Sequence, residues 1–162
     1  MSEDIKMKAL FVCLGNSCRS PIAEAVFQNT VNKMAKGHLW EIDSAGLADW
    51  NVGYSPTDRA LNTMRKHGLR YNNVGRQINQ EDFNNFDFIF GMDEANIRDL
   101  KSIAPENCKA KVLLLGDFDP EGERIIRDPY FDNHDRGFEK CYEQAVRCTK
   151  GFLEQLEKGN VE

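Results

Sequence analysis

The stretch Ala9-Leu-Phe-Val-Cys-Leu-Gly-Asn-Ser-Cys-Arg-Ser-Pro-Ile-Ala-Glu24 decides the reading of this chain. Ala9 to Val12 is continuously apolar, as a central parallel strand covered on both faces requires. A short polar loop follows from Cys13. Ser20-Pro21 then reads as the N-cap and first position of a helix, where proline's missing amide hydrogen costs nothing. Backbone amides from Leu14 to Arg19 can converge on one oxyanion at such a strand–loop–helix junction. Gly15 and Asn16 tolerate the left-handed backbone that a tight concave loop needs. Arg19 adds a planar fork for two phosphate oxygens. Cys13 would face the bound phosphoryl group, with the positive surroundings and a hydrogen bond from Ser20 favouring its thiolate. This pattern points to displacement at phosphorus through a phosphocysteine, which needs an acid for the leaving group and a base for the attacking water.

Outward from this stretch, strands alternate with helices. Trp40 to Ala45, Phe86 to Phe90 and Lys111 to Leu115 read as three further strands. Helices are expected from Ser20 to Gly37, from Ser55-Pro56 to Gly68, from the cap Asp93 to Ile103 and from Arg136 to Glu157, with a helical turn at Glu81 to Asn84. This order predicts one α/β domain over residues 1–162, with loose ends at 1–6 and 159–162. Its core is a central four-stranded parallel sheet with helices on both faces. Right-handed crossovers gather the loops after strands at one sheet edge, where ligands bind. The Cys13 loop, Trp50, Asp93 and the loop around Asp128 should therefore meet. Gly116 to His134 is too long for a neutral connector. Asp128-Pro129-Tyr130 within it offers a carboxyl group on a stiffened backbone beside an aromatic face, so Asp128 is the candidate acid and base. His67, on the apolar face of the second helix, reads as a core histidine.

Composition narrows the alternatives. The 162 residues are 41% hydrophobic and 29% charged, ordinary for a globular chain. A net charge of −5 argues against a nucleic-acid partner. No apolar run approaches the roughly 18 residues of a membrane span, and no apolar leader precedes the first strand. Five dispersed cysteines fit a reducing, cytoplasmic setting. His38, His67 and His134 share no metal-ligand spacing, and neither a metal nor another cofactor is expected.

Taken together, these segments resemble the low-molecular-weight protein tyrosine phosphatases. Val12 to Phe27 matches that family's signature loop and first helix. Asp43 to Gly46, Asp49 to Gly53, Phe90 to Asp93 and Ile126 to Tyr130 match further segments in order, so the resemblance covers roughly Met7 to Lys158. It implies the flavodoxin-like, phosphotyrosine phosphatase I type of fold and cofactor-free hydrolysis of phosphotyrosyl proteins by a monomer with weak self-association. By the same resemblance, Cys13 is the nucleophile, Arg19 the phosphate clamp and Asp128 the general acid, then base. Leu14, Gly15, Asn16, Ser17, Cys18 and Ser20 form the phosphate loop, and Ser44 supports it through Asn16. Trp50, Tyr130 and Phe131 line the substrate cleft, and Cys18 is able to trap oxidised Cys13 as a disulfide.

Three residues depart from the family pattern. Ser17 stands where tyrosine phosphatases carry Ile and related phosphoarginine phosphatases carry Thr, which opens a protein arginine phosphatase as the alternative. Phe131 replaces a second tyrosine, and Asn73 replaces a titratable histidine. An arsenate reductase type of thiol enzyme shares the loop but needs a cysteine relay. Cys141 and Cys148, seven apart on one helix, would lie about 10.5 Å apart, beyond disulfide reach. An inactive phosphate-binding module is the remaining alternative.

Overall fold

A computed structural model describes residues 6–161. Met1–Ile5 and Glu162, most of the expected loose ends, lie outside them. Strand β1 (Met7–Cys13) is the second of four parallel strands in the order β2-β1-β3-β4, with β2 spanning Trp40–Gly46, β3 Phe88–Gly91 and β4 Lys111–Leu114. Its apolar run is explained by burial on two sides. Ala9, Phe11 and Cys13 join one core cluster, while Leu10 and Val12 join the other.

The first cluster lies under helix α1 (Arg19–Lys33) and the 22-residue helix α5 (Arg136–Glu157). Rings fill it: Phe11 stacks on Phe90 at 5.2 Å, and Phe152 meets Phe90 edge-on at 4.9 Å. The second cluster is covered by Phe83 of the short helix α3 (Asp82–Asn85) and Leu100 of α4 (Glu94–Ile103). Helix α2 (Asp58–Lys66) packs against α1 and α5. The expected single α/β domain with an all-parallel sheet is what the chain forms.

Three boundaries differ from expectation for local reasons. Helix α1 begins at Arg19 with no side-chain cap, so Ser20 is its second residue and its hydroxyl turns to the phosphate loop. Helix α2 is capped by Thr57, whose hydroxyl accepts from the Ala60 amide, rather than by Ser55. Strand β3 starts at Phe88, because Asp87 uses its carboxylate to accept from the Lys8 amide at 2.8 Å. Other ends match well. Asp93 caps α4 by accepting from the Asn96 amide at 2.8 Å. Gly68, at φ 76°, closes α2 while Leu69 N donates to Met64 O. Gly159 and Asn160 close α5 the same way, with Asn160 N donating to Gln155 O.

Candidate active site

At the carboxyl end of β1 the chain turns through Leu14 to Cys18 before entering α1. Four carbonyls along this turn are held from outside it. Cys13 O accepts from Leu47 N, Leu14 O from Ala48 N, Gly15 O from the Asn51 side chain at 2.7 Å, and Ser17 O from Thr57 N. In a planar trans peptide the N–H opposes the C=O. The amides of Leu14, Gly15, Asn16 and Cys18 therefore face inward, onto the concave side beside Cys13. Asn16 provides the single left-handed residue of the turn, at φ 53°; Gly15 does not take positive φ. Gly46 of β2 lets the turn lie close, since a Cβ there would stand 3.1 Å from Asn16 Cβ and 3.2 Å from Gly15 C.

Asn16 also fixes the proton order around the sulfur. Its Oδ1 accepts from Arg76 N at 3.1 Å, which sets the amide's orientation. Its Nδ2 donates to Ser20 Oγ at 2.8 Å and to Ser44 Oγ at 3.1 Å. Ser20 accepts from Asn16, so its own hydrogen is free to point at Cys13 Sγ, 3.0 Å away. Ser44 in turn donates to the buried Glu24, which also accepts from Tyr71 and Asn73. Arg76 bridges Asp43 and Asp82 behind this network. The buried Cys18 thiol, pushed up to about 11 chiefly by burial, stays protonated beside Thr57.

Arg19 is 3% exposed and divided in use. Its Nη1 donates to Asp93 at 2.7 Å and to Ile126 O at 3.0 Å. Its Nε has no hydrogen-bond partner, and its Nη2 lies 3.8 Å from Asp128 Oδ2. One edge of the fork is anchored and the other is left for a ligand. Burial works against the charge, but Cys13, Asp93 and Asp128 together raise the guanidinium's pKa above its ordinary value. Ile126 is gripped twice, by Arg19 at its carbonyl and by Met92 O at its amide, which brings Asp128 to the mouth. Asp128 Oδ1 accepts from Tyr130 N at 3.1 Å.

Around the mouth, large apolar side chains stand in solvent. Trp50 is 65% exposed, Tyr130 49% and Phe131 88%. Tyr130 and Phe131 meet edge-to-face with centroids 4.8 Å apart.

A sequence profile of the low molecular weight phosphotyrosine protein phosphatases matches residues 8–162. The chain belongs to this family. A pig (Sus scrofa) low molecular weight phosphotyrosine protein phosphatase is 50% identical over 158 residues, covering 96% of this chain and 99% of the relative. Among solved structures, Primo-1 superposes with a TM-score of 0.89 at 46% identity, covering 92% of this chain and 97% of its own. DARP, a drosophila arginine phosphatase, also reaches 0.89, at 40% identity over 93% of this chain and 98% of its own.

The fold brings Cys13, Asn16, Ser20 and Ser44 into one hydrogen-bonded unit and sets Asp128 beside Arg19, which is anchored separately on Asp93 and Ile126 O. Asp93, expected as a helix cap at the same sheet edge, also anchors Arg19, a role that its sequence context does not signal. Sequence reasoning gave no role to Asn51 or Glu24. Asn51 lies in the segment Asp49 to Gly53 already matched to the family, but its bond to Gly15 O has no local sequence signal. His67 is not in the core: its ring stacks on Tyr142 at 3.7 Å and pairs with Glu139 at 2.9 Å on the surface. Cys141 and Cys148 sit inside the unbroken α5, where burial raises both thiols, Cys148 to about 12. That arrangement gives a thiol relay no support. Among the described residues, no group of three or more His, Cys, Asp and Glu side chains could hold a metal ion. No helix among them is long and apolar enough to cross a membrane.

Proposed function

We propose that this chain hydrolyses phosphotyrosine on proteins through a phosphocysteine. The observation that carries this reading is the open Nε edge of the buried Arg19, set over a turn whose amides face inward beside Cys13. A dianionic phosphoryl group fills that space with charge-assisted hydrogen bonds. Cys13 Sγ attacks phosphorus, an S–P bond forms, and the bond to the phenolic oxygen breaks. The Asp128 carboxyl delivers its proton to that oxygen. As carboxylate, Asp128 then takes a proton from water, whose oxygen attacks phosphorus; the S–P bond breaks and releases phosphate and thiolate. Trp50, Tyr130 and Phe131 supply apolar walls for a flat ring. All five cysteines are free thiols, which suits work in a reducing cytoplasm. Peroxide oxidises Cys13 to a sulfenic acid, and Cys18 displaces water from it to give a disulfide that stores the enzyme reversibly.

Rapid-quench kinetics on a phosphotyrosyl peptide tests the reading. A burst of dephosphorylated peptide, matched by phosphate trapped on Cys13, is expected. Turnover without any cysteine-bound phosphate would refute it.

Ser17 favours a second reading, hydrolysis of phosphoarginine. A small hydroxyl at that position leaves room that a branched apolar side chain would fill, and the arginine phosphatase neighbour shares the fold closely. Turnover of phosphoarginyl peptides equal to or better than phosphotyrosyl ones, reversed by Ser17→Ile, would make this the primary activity.

A further inference from the structure

The two halves of the site come from segments more than a hundred residues apart, and one helical turn touches both. Thr57, the cap of α2, donates its amide to Ser17 O of the phosphate loop. Two residues on, Arg59 reaches the opposite way. Its Nε donates to Asp135 Oδ1 at 2.8 Å, its Nη1 to Asp132 O at 2.7 Å, and its Nη2 to His134 O. Its guanidinium also lies 4.7 Å over the Phe138 ring. Every nitrogen of the side chain is spent on the segment that follows Asp128.

That segment is closed from two further sides. Arg127 takes the Asp132 carboxylate bidentately and also donates to Asp128 O at 3.2 Å. Asp132 N donates back to Pro129 O at 3.0 Å, completing a turn. Beneath it, Gly137 leaves no space for a side chain: a Cβ would stand 2.2 Å from Asp132 Oδ2 and 2.9 Å from Pro129 Cβ. Asp132 is thus held by its carbonyl from α2 and by its carboxylate from Arg127. The Asp128 carboxylate accepts from Tyr130 N and otherwise stands 3.8 Å from Arg19 Nη2, with no nearer side-chain partner among the described residues. A loop carrying a half-exposed carboxyl is fixed through its neighbours.

We infer that Arg59 is a positioning residue for Asp128, and that the first turn of α2 sets the separation between the phosphate loop and the acid loop. The inference rests on Asp128 being the acid. A lysine cannot replace Arg59, because one ammonium cannot bridge acceptors on three residues while stacking on Phe138.

The test is kcat/KM, which reports the steps through transfer to Cys13, for Arg59→Gln and Arg59→Lys on aryl phosphates ranging from 4-nitrophenyl to phenyl leaving groups. Loss of proton donation matters most where the leaving group is poor. For phenyl phosphate kcat/KM should fall about 10–100-fold in Arg59→Gln and by less in Arg59→Lys, while for 4-nitrophenyl phosphate it changes by no more than about threefold. Competitive inhibition by inorganic phosphate should be unchanged, showing that the phosphate loop is intact. Gly137→Ala disturbs the same turn from beneath without touching Arg59 and should steepen the leaving-group dependence likewise. An equal loss across leaving groups, or no loss, with phosphate inhibition intact, overturns the inference. If Arg59→Gln loses phosphate inhibition, Gly137→Ala decides in the same two ways. Absence of aryl phosphate turnover in the unmodified protein would instead overturn the reading of function.

Discussion

The phosphate loop and the acid loop meet at one mouth, yet they are built in opposite ways. Cys13, Asn16, Arg19 and Ser20 are each at most 3% exposed and lie within eight consecutive residues, 13–20. Arg19 reaches out to Asp93 and Ile126 O, but the side-chain hydrogen bonds of the other three run among themselves, to Ser44 of β2 and to Arg76 N. The acid loop presents Asp128 with a side chain 43% exposed, followed by Tyr130 and the almost bare Phe131. It owes its shape to arginines outside it or at its edge. A buried, locally encoded half suits binding of a fixed anion and reaction at a fixed sulfur. An exposed half held at a distance suits a group that must release a proton, turn to a water molecule and let product leave.

Removing the nucleophile tests the buried half most severely. Cys13→Ser should cut turnover by roughly 10⁴-fold or more while inorganic phosphate still binds, as titration calorimetry would report. The amides and Arg19 do not depend on sulfur for their placement. Loss of phosphate binding would mean that the sulfur organises the loop as well as reacting.

Removing the acid tests the exposed half. Asp128→Ala should lower kcat/KM for phenyl phosphate by about 10²–10⁴-fold and for activated aryl phosphates far less, with the fold and phosphate affinity unchanged because the side chain is half in solvent. A uniform loss across leaving groups would break the contrast, since it would mean that Asp128 acts through Arg19 and not on the leaving oxygen.

Asp93 sits where the two halves join. It anchors Arg19 Nη1 at 2.7 Å and caps α4. Asp93→Ala leaves a buried guanidinium short of its partner and lets the free edge of the fork swing. Such misplacement costs about 10²-fold in kcat/KM, and thermal denaturation should fall at the same time. Asp93→Asn, which keeps the cap and an acceptor oxygen, should recover most of the stability and part of the rate. If the two variants behave alike, charge and not geometry is what Asp93 supplies.

The same contrast explains what could be read from the chain alone. Period and punctuation were enough for four strands, their flanking helices and the gathering of loops at one edge, because those depend on burial of neighbouring residues. The phosphate loop was legible for the same reason: its glycine, asparagine, cysteine, arginine and serine answer to one backbone shape. Ser20 shows the limit. Both a helix cap and a thiol partner fit its position, and only the arrival of Asn16 Nδ2 on its oxygen decides between them. Arg59 and Asn51 were illegible, since their partners lie 73–76 and 36 residues away and nothing local marks an arginine that grips a distant loop. His67 misled because helical spacing put it on the apolar face, while the last turn of α2 carries it out to Glu139.

The smallest expected effect concerns the support behind the phosphate loop. In the unfolded chain Glu24 titrates near 4.5; in the folded protein burial raises it, against the opposing hydrogen bonds from Ser44, Tyr71 and Asn73. Between those two values the folded state holds the proton more tightly than the unfolded one. Stability from this group is therefore full below pH 4.5, falls as pH rises through the window, and stays at the lower level above it. Asn73 lies within hydrogen-bond distance of both Glu24 and Asp43 and brings no positive charge to either, so nothing at that position reverses the trend. Glu24→Gln removes the titration at the cost of a donor facing Asn73, a penalty that does not vary with pH. Thermal denaturation of both proteins from pH 4 to 8 should show the variant gaining on the unmodified protein as pH rises. A constant difference would mean that Glu24 stays ionised throughout, and that Ser44 is held by a charge and not by a shared proton.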